Sequence, residues 1–555
     1  MNRGVVKNKR DIAQRVHWMH ALFLFFAAAI LVRFGMLQFP GIQGKTVRGT
    51  AALFEEETIR ERGEIFLQDR FGARTPLAMN KDFYTITADP RHVADKEGVA
   101  HSLSEILDVP YAAVMNKLSK ENDPYEVIAT KVDGVVAERI IALNFDGIHF
   151  EATRGRYYPY QRMASHLSGF LGVKGDAQAG QYGLEGFYDD ILGGDGGVAK
   201  LILSVDSNVQ FKAEEALRHV IEKWQASAGS VIVMEPTTGK IFAMANYPDF
   251  DPNEYARASD NSSFINSAVS GQFELGSVFK PLVMAAGVNE KAVTPTTTYE
   301  DTGQVVISGY TIKNFDGKVH GIKTMTEVLE SSLNTGVVFV QQKIPKETFR
   351  AYIAGFGFGV KTGIDLQGEA KGDISNLKKD RDLEFATAAF GQGISITPLQ
   401  MITAFSALAN KGMLMKPEIV DKKILRDEQE IMVEPAAVRQ VVASETAGAL
   451  TKMLVSTVEN GYDKAKIKGY FVAGKTGTAE IPDPTTGKYL MDETLHTFVG
   501  YAPAYHPRFT VLVKIDRPKG VRFASSSLAP AFAEVMSYLL TYYEVPPDLN
   551  RPTAP

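Results

Sequence analysis

The 555-residue sequence contains no cysteine, which excludes disulfides and thiolate metal sites. Such a chain is compatible with an oxidising compartment in which no disulfide is used. Its 10 histidines are scattered, with no HExxH and no close His cluster. The reading therefore assigns no catalytic metal and no cofactor. A net charge of −5 offers no basic footprint, so nucleic acid is excluded as a partner. Beyond the first forty or so residues there is no apolar run of 18, so the chain crosses a membrane at most once. What is plentiful is apolar residues, 45% of the total, enough for real cores. The length calls for two or three domains.

Residues 1–17 carry Arg3, Lys7, Lys9, Arg10 and Arg15 against one acid, Asp11. They precede "WMHALFLFFAAAILVRFGMLQF", Trp18 to Phe39. The uncharged centre, Ala21 to Val32, is 12 residues long. It approaches the ~20 residues of a membrane helix when His20 lies at one interface and Arg33 snorkels to the other. The basic flank places the N-terminus in the cytoplasm. A cleaved signal peptide would use "FAAA", but the apolar run continues past it. The expectation is a cytoplasmic tail at 1–17, a retained anchor at 18–39, and export of everything that follows.

From residue 40 to 198 short strand-like runs alternate with glycine and charged turns, and no catalytic constellation is visible. This stretch reads as an extended α+β pedestal. "DFYTITADP" (Asp82–Pro90) is a strand with a proline stop, and "HSLSEILDVPYAAVMNKL" is helical but broken near Pro110. Residues 199–546 read as a second domain. It opens with an amphipathic helix, "DSNVQFKAEEALRHVIEKW", and a hairpin around Pro236–Gly239. A further strand pair spans His496–Pro518, and an apolar helix spans Ser527–Val545. An antiparallel sheet flanked by helices follows from that order. The proline-rich tail, 547–555, is expected to be disordered.

Three short words each occur twice. Ser-x-x-Lys appears as Ser277/Lys280 and Ser375/Lys378, Ser-x-Asn as Ser259/Asn261 and Ser332/Asn334, and Lys-Thr-Gly at Lys361 and Lys475. At average composition about two Ser-x-x-Lys matches arise by chance in such a chain, so context must decide. "GSVFKPLVMAAGV" puts Ser277 at the mouth of a buried helix, with Lys280 one turn on. "SNLKKDRD" is polar all round. Ser332 and Asn334 lie between two helical patterns, as a turn projecting into a cleft would, whereas "RASDNSSF" is a self-satisfied polar turn. "YFVAGKTGTAEI" follows an apolar strand, and its glycine lets a ligand backbone lie close to the strand edge. The other Lys-Thr-Gly sits in a Gly-rich loop and reads as a turn.

The selected set, Ser277/Lys280, Ser332/Asn334 and Lys475-Thr476-Gly477-Thr478, resembles that of the penicillin-binding proteins. The resemblance extends to "RGEIFLQDRFGARTPLA", "RYYP", "HLSGFLG", "GLEGFYDDILGG", "VMEPTTGKIFAMANYPDFDPN" and "AAFGQGISITPLQMITAFSALANKG". Together these cover about Lys45 to Val545, and the pattern is similar to class B members of the division-specific type. Leu275 stands where the family often has proline, and Leu333 fills the variable centre of the second motif. Neither departure removes a reacting atom.

The resemblance implies a serine β-lactamase-like transpeptidase domain on a dimerisation-type pedestal, anchored in the inner membrane with its catalytic part in the periplasm. It implies a D,D-transpeptidase that cross-links septal peptidoglycan through a serine acyl-enzyme and is inhibited by β-lactams. The implied partners are stem peptides on lipid II-derived strands, the membrane, an FtsW-type glycosyltransferase and other divisome proteins. The residue types fit this chemistry independently. Ser277 needs a base, and with no His or Glu in the motifs Lys280 is the candidate. Ser332 relays a proton, and Asn334 holds a substrate amide and orients Lys280. Lys475, Thr476 and Thr478 serve the terminal carboxylate, and the amides of Ser277 and Thr478 form an oxyanion hole. An elongation-type enzyme usually carries Asp at the position of Asn334. A bifunctional glycosyltransferase would need a domain for which the chain has no room, a β-lactamase has no use for the pedestal, and a non-catalytic division scaffold would not need intact motifs.

Overall fold

The computed structural model describes residues 61–548, apart from 121, 175–176, 194–196, 259, 484 and 487. The expected anchor at 18–39 and the N-terminal tail lie outside the described residues, and among those described no helix is long and apolar enough to cross a membrane.

The amino-terminal region starts with β1 (Glu64–Gln68) and the 15-residue β2 (Arg74–Ala88). Helices α1 (Lys96–Leu107) and α2 (Tyr111–Leu118) follow, and Pro110 caps α2 just after the left-handed Asp108 ends α1, which explains the broken helical pattern. Next come β3 (Glu126–Asp133), α3 (Gly134–Ile141) and β4 (Ile148–Tyr157). The distal part of β2 pairs with both β3 and β4, and Ile86, Leu103, Val114, Ile128 and Ile140 fill the core between that sheet and the helices.

The second region runs from β5 (Val198–Asp206) through α4 (Ser207–Trp224), capped by Asp206, to β6 (Ala228–Met234) and β7 (Ile241–Tyr247). The helical middle contains α5 (Lys280–Asn289), α6 (Met325–Glu330), α7 (Asn334–Gln342) and α8 (Pro398–Ala409). Then come β8 (Val420–Leu425), β9 (Glu430–Met432), α9 (Ser444–Gly461), β10 (Ala473–Pro482), β11 (Tyr489–Ala502) and β12 (Phe509–Asp516). Two helices close the chain, the one-turn α10 (Ala524–Ser527) and α11 (Ala529–Tyr542).

Five strands form an antiparallel sheet in the order β10-β11-β12-β6-β7. Side chains alternate across it as the two-residue strand period demands. Val231, Val233, Val511 and Val513 pack with Leu217 of α4 and Phe532 of α11, whereas Ile232, Met234 and Leu512 pack with α5, α8 and α9. The architecture is α+β. Strand β10 lies at an edge of this sheet, so its outer flank is free to meet the turn that carries Ser277.

Two features depart from the sequence reading. Strand β5 belongs to the amino-terminal sheet, between β1 and β8, so that sheet, ordered β9-β8-β5-β1-β2-β3, draws strands from both sides of residue 198. The tail is not structureless from Pro547. Asp548 is buried, and its carboxylate accepts the Phe471 amide at 2.9 Å, a donor that would otherwise be left without a partner.

Candidate active site

Ser277 lies in a single 3₁₀ turn, Gly276–Phe279, that runs directly into α5. In a 3₁₀ turn residues i and i+3 eclipse, so Ser277 and Lys280 project the same way. Gly276 starts the turn with φ +63°, and its amide donates to the Gly391 carbonyl at 3.3 Å. Val278 and Phe279 are buried beneath, which fixes the turn while Ser277 stays partly exposed.

Strand β10 presses against this turn. A Cβ on Gly477 would meet the Leu275 carbonyl oxygen at 2.5 Å and Val278 Cγ1 at 3.2 Å. The glycine of the third motif is thus required by the turn that carries Ser277, a different reason from the close ligand approach expected of it.

Lys280 is fully buried, and its amino group donates to the Ser332 carbonyl and, at 3.3 Å, to Ser332 Oγ. Ser332 occupies the turn between α6 and α7 at φ +55°, a left-handed conformation uncommon for a residue with a side chain. Buried Leu333 anchors that turn from below. Lys475 is also fully buried, and its three protons go to Ser332 Oγ at 2.9 Å, Tyr462 OH at 2.8 Å and the Thr476 carbonyl at 3.2 Å. Two lysines therefore converge on one hydroxyl. A serine oxygen has two acceptor sites and one proton. With both acceptor sites taken by lysines, the Ser332 proton is left to point elsewhere. Burial, and then repulsion by Lys475, holds the Lys280 amine well below the ordinary lysine range.

The expected division of labour changes in two places. Asn334 donates to the Lys313 carbonyl at 2.9 Å, so Lys280 is oriented by Ser332 rather than by Asn334. Thr476 is buried and bonded to Tyr462 OH at 2.9 Å, and Lys475 has spent its donors internally. Of the third motif, Thr478 is the residue that lines the cleft, a space of about 1630 Å³ onto which Ser277 and Asn334 also open.

Comparisons with known proteins identify the family. A family model described as the penicillin binding protein transpeptidase domain matches residues 229–537. A second, the penicillin-binding protein dimerisation domain, matches residues 58–220. The chain belongs to the penicillin-binding protein transpeptidase family. It is 34% identical to stage V sporulation protein D of Bacillus subtilis, over 88% of this chain and 80% of that protein. It is 28% identical to peptidoglycan D,D-transpeptidase FtsI of Escherichia coli, over 98% and 95%. Among solved structures it resembles penicillin binding protein 3 of Mycobacterium tuberculosis complexed with aztreonam, with a TM-score of 0.69, 25% identity, and coverage of 88% of this chain and 97% of that one.

In this penicillin-binding protein the other copies of the motifs lie in surface turns. Ser375 and Lys378 are exposed on a 3₁₀ turn, Asn261 is exposed, and Ser259 lies outside the described residues. Lys361 is exposed in a turn whose Thr362 and Gly363 amides bond to Glu369 at 2.6 and 3.1 Å. The sequence reading missed Tyr462. No motif marks it, and it reaches Lys475 only because α9 ends against β10. The nearest signal was a lone tyrosine directly after the glycine that ends a helical pattern.

Proposed function

We infer that the chain is a peptidoglycan D,D-transpeptidase that works through a Ser277 acyl-enzyme and is inhibited by β-lactams. The observation that carries the reading is a fully buried Lys280, one turn from Ser277, sharing the Ser332 hydroxyl with Lys475. Burial beside a second lysine favours the neutral amine, and a neutral amine is the base a serine nucleophile needs.

Ser277 Oγ attacks the carbonyl between the two terminal D-alanines, and its proton passes to Lys280 Nζ. The C–N bond breaks as Ser332 protonates the leaving nitrogen, and Lys280 returns the proton to Ser332. D-alanine departs and an ester on Ser277 remains. An amine from a neighbouring stem then attacks that ester and regenerates the serine. The Ser277 and Thr478 amides stabilise the oxyanion, each donor worth about 3 kcal/mol. Among the described residues no hydrogen bond joins Ser277 Oγ to Lys280, and such contacts tighten when substrate binds. Lys475 acts through Ser332 and through its charge, and Thr478 meets the substrate carboxylate. Support comes from relatives named peptidoglycan D,D-transpeptidase and from β-lactam complexes of penicillin binding protein 3.

The septal role, the periplasmic orientation, the anchor at 18–39, and association with an FtsW-type polymerase and divisome proteins are part of this proposal. They rest on the family resemblance and on the basic residues before the apolar span. The test is to incubate the purified full-length protein with a stem pentapeptide donor and an amine acceptor. Release of D-alanine with stoichiometric transfer is expected. Absence of both, in a protein with a cooperative melt, overturns the reading.

A further inference from the structure

Thr478 and His496 face each other in register on β10 and β11. The single turn α10 makes a bond to each. At one end the Ala524 amide donates to Thr478 Oγ at 3.1 Å. At the other, Ser527 Oγ lies 2.8 Å from His496 Nδ1, and its hydroxyl reaches back to the Ala524 carbonyl at 3.4 Å. The second imidazole nitrogen is 3.1 Å from Thr494 Oγ. His496 is fully buried and Ser527 nearly so. The mechanism above uses neither.

The consequence lies in the Thr478 hydroxyl. An oxygen that accepts a backbone N–H on one side keeps its own proton for another partner. Among the described residues the Thr478 proton has no acceptor, and Thr478 lines the cleft beside Ser277. The Ala524 amide thus sets Thr478 as a donor toward whatever occupies the cleft. That amide stays in place only if its turn does, and the far end of the turn is fixed through Ser527 to His496. Burial brings the imidazole down to about 4, against the opposing effect of the Arg522 carbonyl, so the ring is neutral at physiological pH and bonds to two hydroxyls.

We propose that His496 is a positioning residue for carboxylate recognition: by holding Ser527 it keeps the Ala524 amide on Thr478 Oγ and reserves the Thr478 proton for the carboxylate of the acyl donor. This rests on the acyl-donor reading of the cleft given above.

The experiment compares benzylpenicillin with its methyl ester on the purified full-length protein. It separates the dissociation constant of the non-covalent complex from the first-order acylation constant. For benzylpenicillin, His496→Ala raises the dissociation constant about tenfold, the scale of one charge-assisted hydrogen bond, and leaves the acylation constant within about twofold. For the ester, wild type and His496→Ala bind alike, because the charge that Thr478 would serve is gone. His496→Asn recovers most of the acid's affinity, and Ser527→Ala reproduces the loss. Ser527→Ala also provides the test if His496→Ala fails to fold. Equal weakening of acid and ester, an acylation constant that falls as far as affinity, or a folded Ser527→Ala that binds like wild type overturns the inference. A wild-type protein that penicillin does not acylate overturns the proposed function together with it. An acylating wild type whose variants fail to discriminate overturns the inference alone.

Discussion

Gly477→Ala is the smallest change that should damage catalysis without touching a reacting atom. The new Cβ would sit 2.5 Å from the Leu275 carbonyl oxygen, where ordinary contact begins at 3.4 Å. Strand or turn must then give way by about 0.9 Å, the gap between those two distances. The strand is held by its ladder with β11, from Ala473↔Tyr501 onward. The turn carries Ser277 two residues after Leu275, so the displacement passes to the nucleophile. A misplacement of about 1 Å costs about 100-fold in rate. Overpacking of this size costs about 1–3 kcal/mol of stability. Acylation by a fluorescent penicillin, followed under pseudo-first-order conditions, should therefore slow by about 10- to 100-fold, with a small drop in melting temperature. A variant that acylates at the wild-type rate and melts at the wild-type temperature would refute the claim that β10 and the Ser277 turn are packed to contact.

The unfolded chain protonates Lys280 at pH values where the folded chain does not. Wild-type stability should accordingly rise with pH from the depressed folded value up to about 10.4, by at most about 1.4 kcal/mol per unit. Lys280→Met binds no such proton, so its stability relative to wild type should fall across that window in denaturant titrations, and a constant difference contradicts the depressed amine. Tyr462→Phe keeps the ring against Phe498 but removes an acceptor from Lys475, so acylation should slow by about tenfold or more, given the ~1.5–3 kcal/mol of a hydrogen bond to a charged group. An unchanged rate reduces Tyr462 to packing. Ser375→Ala, Asn261→Ala and Lys361→Ala should acylate within a few-fold of wild type, since all three residues are exposed, and loss of labelling in a folded variant would show that the wrong copy was chosen.

Elements with a strong local period were legible in the sequence. Helix α4 with its Asp206 cap, the β6–β7 hairpin and the β11–β12 pair lie where apolar spacing and turn residues place them. The motif copies were separable because an apolar flank distinguishes Ser277 and Lys475 from Ser375 and Lys361, and burial follows apolar flanks. What stayed hidden depends on contacts far apart in the chain. Strand β8 joins the amino-terminal sheet more than 200 residues away, and its alternation does not say which sheet it will enter. The internal bonds of Lys475 and the place of Tyr462 beside it follow from how α9 meets β10, and the contact of Asn334 with Lys313 from the strand Tyr310–Lys313 passing α7. Asp548 looked like tail composition and is ordered by one amide of Phe471.

The central claim is that Ser277 becomes acylated and that Lys280 makes it reactive. Intact-protein mass spectrometry after penicillin treatment, followed by peptide mapping, tests it most directly. The account predicts one adduct, on the peptide containing Ser277. It predicts none in Ser277→Ala and a severe slowing in folded Lys280→Ala. An adduct on another serine, or Lys280→Ala acylating at the wild-type rate, would contradict it.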